Sequence, residues 1–194
     1  MRRADIKRKT NETDITLSLS LDGTGMSDIQ TGCGFFDHML EQFTFHGMFD
    51  ISARCAGDIA VDAHHTVEDV GIALGQAFRE ALGDKARIAR YGSYVLPMDE
   101  TLMLCAADIC NRPHLNCDIL IPSAKVGDFD TELVKEFFTA FTRALGLSLH
   151  FVKMAGTNSH HIMEAMFKSF GRAMNEACGI REIEGRIPST KGML

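Results

Sequence analysis

The sequence predicts an α+β fold, with helices sandwiched between two mainly antiparallel sheets, and three observations carry that expectation. Residues 14–21 alternate cleanly, with Ile15, Leu17, Leu19 and Leu21 on one face and Thr16, Ser18 and Ser20 on the other, the pattern of a strand with one face to water. Four later stretches space their apolar residues as helices do. One order of elements, β-β-β-α-β-α, can be read twice, over about residues 1–90 and again over 91–194. The chain is therefore expected to form a single compact domain of two pseudo-repeats.

Taken in order, residues 2–9 alternate more weakly and carry a basic excess, Asp22-Gly23 punctuates the strand after them, and residues 26–31 read as a short third strand. An antiparallel run of three is expected. The segment FFDHMLEQFTFHGM, residues 35–48, has apolar residues at 35, 36, 39, 40, 43 and 45, with Gly47 as its stop. Residues 49–57 read as a strand and 68–82 as an amphipathic helix ended by Gly83. After a charged connector at 85–91 the order restarts. Strands are expected at 92–97, 101–110 and 115–121, separated by Pro97-Met98-Asp99 and by Asn111-Arg112-Pro113. A helix at 131–145, a strand at 147–154 and a helix at 160–178 complete the second half.

Composition narrows the function classes. The chain has 194 residues, 45% of them hydrophobic, enough to bury a substantial core. A formal net charge of -6 argues against a general nucleic-acid surface, so an anionic ligand must meet a local cluster of cations. The start MRRADIKRKT lacks the apolar run of an export signal, and no stretch approaches 18 uninterrupted apolar residues. A cytoplasmic protein without membrane partners is the expectation. The six cysteines show no Cys-x-x-Cys spacing and lie mostly among apolar residues, where a reduced, buried thiol is the plain interpretation.

The chemistry-bearing motif is a string that occurs twice: His64-His65-Thr66-Val67-Glu68, then His160-His161-Ile162-Met163-Glu164. On a helix, residues four apart share a face while neighbours point about 100° apart. His64 therefore pairs with Glu68 and His160 with Glu164, while His65 and His161 look elsewhere. A histidine and a carboxylate on one face make a half-site for a divalent cation, and the averted histidine can serve a second cation. A single copy would be an ordinary helix start; repetition points to two equivalent metal sites. Aligning the halves adds two residues, since His38 precedes the first copy on one helix and Glu136 occupies the matching place before the second. The candidate sets are His38, His65, His160 and Glu164 for one cation, and His64, Glu68, Glu136 and His161 for the other. Nitrogen and oxygen donors without thiolate suit Mn²⁺, Fe²⁺ or Zn²⁺, and an octahedral ion with open positions favours Mn²⁺. The spacing is not the His-Glu-x-x-His of metalloproteases. Nearby cations that could hold an anionic group are Arg90, Arg112, Lys168 and Lys191, with Lys168 one turn beyond Glu164. The string Pro188-Ser189-Thr190-Lys191-Gly192 suits a phosphate-binding loop.

Together the strings GCGFFDHML, HHTVEDVGIALGQAF, NSHHIMEAMFKSFGRA and PSTKG, in this order, closely resemble the imidazoleglycerol-phosphate dehydratase family of histidine biosynthesis, over nearly the whole chain. The resemblance implies a carbon–oxygen lyase with two Mn²⁺ per subunit, assembled as a cage of 24 subunits built from trimers. It implies metal ligation by His38, His64, His65, Glu68, His160, His161 and Glu164, with Glu12 and His38 touching substrate. Arg90, Arg112, Lys168, Ser189 and Lys191 would surround the phosphate. One departure is plain: where several members carry a further ligating histidine, this chain has Glu136, so either Glu136 ligates or solvent fills that position. Some relatives are fused to a phosphatase domain, for which this chain is expected to have no room. If two cations hold the substrate's imidazole as imidazolate, its electrons can expel the adjacent hydroxyl, and a carboxylate from Glu12, Glu68 or Glu164 can take the neighbouring proton. The competing classes are a dinuclear phosphoesterase and a non-catalytic, metal-assembled shell protein.

Overall fold

The computed structural model describes residues 2–181 and 187–192. In chain order the first half comprises β1 (Arg3–Lys9), β2 (Thr13–Ser20), β3 (Ser27–Gln30), α1 (Gly34–Gly47), β4 (Asp50–Gly57) and α2 (His64–Leu82). The second comprises β5 (Tyr91–Met98), β6 (Thr101–Ile109), β7 (His114–Asn116), β8 (Lys125–Val126), β9 (Phe129–Asp130), α3 (Leu133–Leu145), β10 (Leu147–Ala155) and α4 (Ser159–Cys178). Two sheets repeat one plan, β1-β2-β4-β3 and β5-β6-β10-β7. In each, the hairpin and the next pairing are antiparallel, and the short edge strand lies parallel to its neighbour. Helices α2 and α4 pack against the sheets of their own halves, and the helices pair as α1 with α4 and α2 with α3.

Three expectations need correcting. The third strand of each half does not continue an antiparallel run: β3 pairs with β4, and β7 with β10, in parallel. In both cases a helix lies between the paired strands in sequence, and a crossover connection returns the chain in the same direction. The strand expected at 115–121 ends at Asn116. Burial still alternates through Cys117, Ile119 and Ile121, but β10 offers partners only at Ser148, Leu149 and His150. The β8–β9 hairpin that follows has no counterpart in the first half. Helix α2 also begins at His64 rather than at Glu68, placing both histidines of the motif in its first turn.

The middle layer is aromatic. Phe43 of α1 stacks on Phe170 of α4 with centroids 4.8 Å apart, and Phe78 of α2 meets Phe141 of α3 edge-on at 5.4 Å. Phe141 and Phe170 join the two pairs at 5.1 Å. All four rings are essentially inaccessible, and each contributes about 1.5–3 kcal/mol by its transfer from water. The six cysteines are all free, and Cys105, Cys110 and Cys178 are buried.

Glycines set how closely the helices approach. A Cβ on Gly171 would meet the Phe43 carbonyl and the Gly47 amide of α1, and one on Gly75 would meet the Phe141 carbonyl and the Leu145 amide of α3. The offset that carries Gly75 to Gly171 also carries His64 to His160 and Glu68 to Glu164. The offset that carries Phe43 to Phe141 carries His38 to Glu136. Helix packing thus yields the same correspondence between His38 and Glu136 as the sequence alignment of the halves.

Candidate metal centre

Helix α4 is firmly started. The Asn158 side chain accepts hydrogen bonds from the His160 and His161 amides at 2.9 and 3.3 Å, a cap of the kind that contributes about 0.5–2 kcal/mol. In α2 the Asp62 carboxylate takes the His64 amide at 2.7 Å. Both starts present their paired imidazoles alike: ring centroids are 6.2 Å apart and planes 82° apart for His64–His65, and the same values hold for His160–His161. Adjacent rings therefore serve different directions, as the helical spacing predicts.

One ligand cluster assembles within the subunit. His38 from α1 and His160 and Glu164 from α4 bring donor atoms within 4.8 Å of one another. His160 Nε2 lies 2.9 Å from Glu164 Oε2, and His38 Nε2 lies 3.8 Å from the same oxygen. The other oxygen, Oε1, receives the Lys168 ammonium at 2.6 Å. Burial pushes the Glu164 carboxyl upward, but Lys168 and His160 outweigh it and hold the group below its usual range. Two imidazoles and an ionised carboxylate, with no thiolate, fit Mn²⁺ or a similar borderline ion and would leave coordination positions open.

The second imidazole of each pair is held by carboxylates outside its own helix. His65 Nδ1 lies 3.0 and 3.2 Å from the Asp58 oxygens, and its Nε2 lies 3.7 Å from Glu12. His161 Nδ1 lies 2.7 Å from Glu100, and its Nε2 lies 3.6 Å from Asp99. The hydrogen bonds to Asp58 and to Glu100 raise the affinity of each ring for a proton. His161, with the amides of Asn158 and Thr157, draws the Glu100 carboxyl down to about 2. Asp58, Asp99 and Glu100 were missed in the sequence. Their only signal was position, after a strand or within a hairpin turn.

The remaining candidates divide. Among the described residues, His65 does not join the His38 cluster, and His64, Glu68, Glu136 and His161 do not converge within one subunit. Glu136 is half-buried beside Cys117, Ile121 and Met166. Arg90, just before β5, donates to Asp108 of β6 at 2.7 Å and to the Pro188 carbonyl at 2.9 Å, tying the Pro-Ser-Thr-Lys-Gly turn to the second sheet. Within that turn the Ser189 hydroxyl accepts the Lys191 amide at 3.2 Å, and the Lys191 side chain is exposed. Arg112 is exposed, and its carbonyl accepts from the Ser148 hydroxyl at 2.9 Å. His46, also missed, sits near Lys168 and Arg172, where burial and those two charges lower its proton affinity.

Fold and site define a class: an internally duplicated α+β protein whose helix starts present clustered imidazole and carboxylate ligands. A family model described as imidazoleglycerol-phosphate dehydratase matches residues 31–174, and the chain belongs to that family. An imidazoleglycerol-phosphate dehydratase from Dinoroseobacter shibae is 57% identical over 195 residues, covering 100% of both chains. Another, from Lachnoclostridium phytofermentans, is 56% identical over 191 residues, covering 98% of this chain and 97% of the relative. The crystal structure of the Staphylococcus aureus dehydratase superposes with a TM-score of 0.84 at 40% identity, covering 92% of this chain and 99% of that one. The Pyrococcus furiosus enzyme in complex with (S)-C348 gives 0.85 at 38% identity, with 97% and 100% covered. Among the described residues no helix is long and apolar enough to cross a membrane.

Proposed function

We propose that this chain is a hydro-lyase that converts imidazole glycerol phosphate to imidazole acetol phosphate and water, with two Mn²⁺ per subunit. It works as a cytoplasmic homo-oligomer of 24 subunits built from trimers. The observation that carries this reading is the convergence of His38, His160 and Glu164 from two helices, in a fold whose other half repeats the same ligand positions. The cations, when bound, supply Lewis acidity that draws charge onto the substrate's imidazole ring.

The chain's own residues divide the remaining work. Both oxygens of Glu164 are engaged, by Lys168 and by His160, which suits a ligand better than a proton carrier. Glu12 is half-exposed and lies 3.7 Å from His65 Nε2, so its carboxylate is free to turn toward a bound diol. In the reaction the hydroxyl on the carbon beside the ring leaves as water with the proton given up by the ring nitrogen. The proton on the next carbon passes to Glu12, which returns it to the carbon beside the ring, while the enol hydroxyl's proton restores the ring nitrogen as the ketone forms. Glu68 completes the ligand set of the second cation together with His64, Glu136 and His161, drawn from neighbouring subunits. Lys168, Arg112, Ser189 and Lys191 hold the phosphate, and Arg90 anchors the turn that carries Ser189 and Lys191.

The test is turnover of imidazole glycerol phosphate with and without added Mn²⁺, following the ketone and inorganic phosphate separately. Metal-dependent ketone formation without phosphate release is expected. Phosphate release would mark a phosphoesterase, and metal-dependent assembly without turnover would mark a shell protein.

A further inference from the structure

His160 meets the glutamate of its own helix, Glu164, at 2.9 Å, but the second histidine of each pair is gripped from outside, and the grip is the same in both halves although the backbone that supplies it differs. Asp58 sits in the loop between β4 and α2, and its position is fixed by its amide on the Glu12 carbonyl at 3.2 Å and by its carbonyl accepting the Val61 amide at 2.8 Å. The loop before α4 is shorter, running only from Gly156 to Asn158, and none of its residues is acidic. There the carboxylate comes instead from Glu100, in the turn between β5 and β6. Glu100 Oε1 accepts the Asn158 amide at 2.8 Å and the Thr157 amide at 3.2 Å, while Oε2 faces His161 Nδ1 at 2.7 Å. Two unrelated routes thus deliver a carboxylate to the same ring nitrogen. An ionised carboxylate only accepts, so the proton of the neutral ring must sit on Nδ1, and the lone pair is left on Nε2.

We infer that Glu100 and Asp58 are positioning residues that fix His161 and His65 as Nδ1–H tautomers aimed to bind a cation through Nε2. The inference rests on the proposed reading that these rings ligate metal, and its chemistry is that of a carboxylate–histidine–metal relay. It separates these two acids from Glu12 and Asp99, which approach Nε2 instead and therefore stand on the cation's side of each ring.

The discriminating variants are Glu100→Gln and Asp58→Asn in the full chain. In Glu100→Gln the amide oxygen can still take the Thr157 and Asn158 amides, so an anchoring role is kept, but the amide NH₂ then faces His161 Nδ1. That forces the proton to Nε2, where it blocks the metal lone pair. The first measurement is solid-state ¹⁵N NMR of histidine-labelled, metal-free protein. Each substitution is expected to convert one ring from Nδ1–H to Nε2–H. The second is equilibrium dialysis against Mn²⁺ alone, where each substitution is expected to weaken one of the two sites by about 10- to 100-fold. Unchanged tautomers would overturn the inference, as would Mn²⁺ affinity equal to that of the wild type. So would weakened binding without a tautomer change, which a merely structural acid would give. If the wild type itself takes up no Mn²⁺, the metal reading fails, and the tautomer measurement alone decides whether the two acids set the rings.

Discussion

Gly171→Ala is the most direct test of how the fold builds its ligand cluster. The new Cβ would lie 2.6 Å from the Phe43 carbonyl oxygen and 2.9 Å from the Gly47 amide nitrogen. Both are backbone atoms of α1, so no side chain can swing aside. Ordinary contact begins near 3.4 Å, and α1 must withdraw from α4 by about 0.8 Å to reach it. Overpacking of this kind costs about 1–3 kcal/mol, which for a chain of this size lowers Tm by about 2–12 °C. His38 rides on α1, while His160 and Glu164 ride on α4. A shift of that size exceeds the roughly 0.2 Å tolerance of metal–ligand distances, so Mn²⁺ affinity at this cluster should fall at least about tenfold. At fixed, saturating Mn²⁺ the metal-dependent gain in stability then shrinks by about 1.4 kcal/mol for each tenfold loss. The assay is thermal unfolding with and without Mn²⁺, beside metal content after dialysis. Gly34→Ala is the control, since nothing lies within 4 Å of its added Cβ. A Gly171→Ala protein with wild-type Tm, or with undiminished Mn²⁺ at both sites, would refute the argument that this glycine sets the distance between the ligands.

Three further outcomes are expected. Lys168→Ala should lower kcat/KM by about 2–4 kcal/mol in transition-state stabilisation through a lost charge-assisted phosphate contact; near-wild-type kinetics in correctly assembled protein would remove Lys168 from the substrate site and leave it only its contact with Glu164. Glu136→Ala should reduce bound metal from two per subunit towards one while sparing the His38 cluster, and Glu136→His should restore the second ion; two tightly held ions in the alanine variant would show that the correspondence with His38 is one of packing alone. Removing metal with a chelator should lower the assembly state along with the activity, and sedimentation showing an unchanged large particle in fully metal-free protein would sink that expectation.

Local periodicity carried the parts of the fold that depend on near neighbours. The alternation at Ile15, Leu17 and Leu19 gave β2, and the helical spacing from Phe35 to Phe45 gave α1 with His38 in it. Both copies of the His-His-x-x-Glu string were legible because a helix turns adjacent side chains apart without help from the rest of the chain. What escaped was decided at a distance. The run Cys117, Ile119 and Ile121 alternates as a strand does, yet its backbone does not continue the ladder: β10 pairs with β7 over three residues only, and beyond them the contact is the Lys153 side chain on the Leu120 carbonyl at 2.7 Å. The parallel placement of β3 follows from a whole crossover rather than from its own residues. Glu100 looked like turn punctuation, since its contact with His161 spans 61 positions. Asp58 stands only seven before His65, but loop geometry rather than any repeat brings the two together.

On the proposed reading, the geometry of the paired histidines would also tie metal binding to assembly. Within each pair the rings stand 6.2 Å apart and nearly perpendicular, and the second ring turns Nδ1 to a carboxylate outside its own helix, Asp58 or Glu100. If all of these rings ligate metal, one chain would offer more ligand directions than the His38 cluster uses. His38, His160 and Glu164 would leave open positions, while His65 and His161 turn their Nε2 atoms toward Glu12 and Asp99 rather than into that cluster. If those positions are closed by the averted histidines of neighbouring subunits, each ion binds only where two chains meet. Metal affinity and subunit affinity are then one coupled equilibrium, in which each must raise the other by the same factor. The consequence can be measured without substrate: diluting the protein at constant free Mn²⁺ should release metal in step with dissociation. Metal that stays fully bound on well-separated subunits would show instead that each chain completes its own sites.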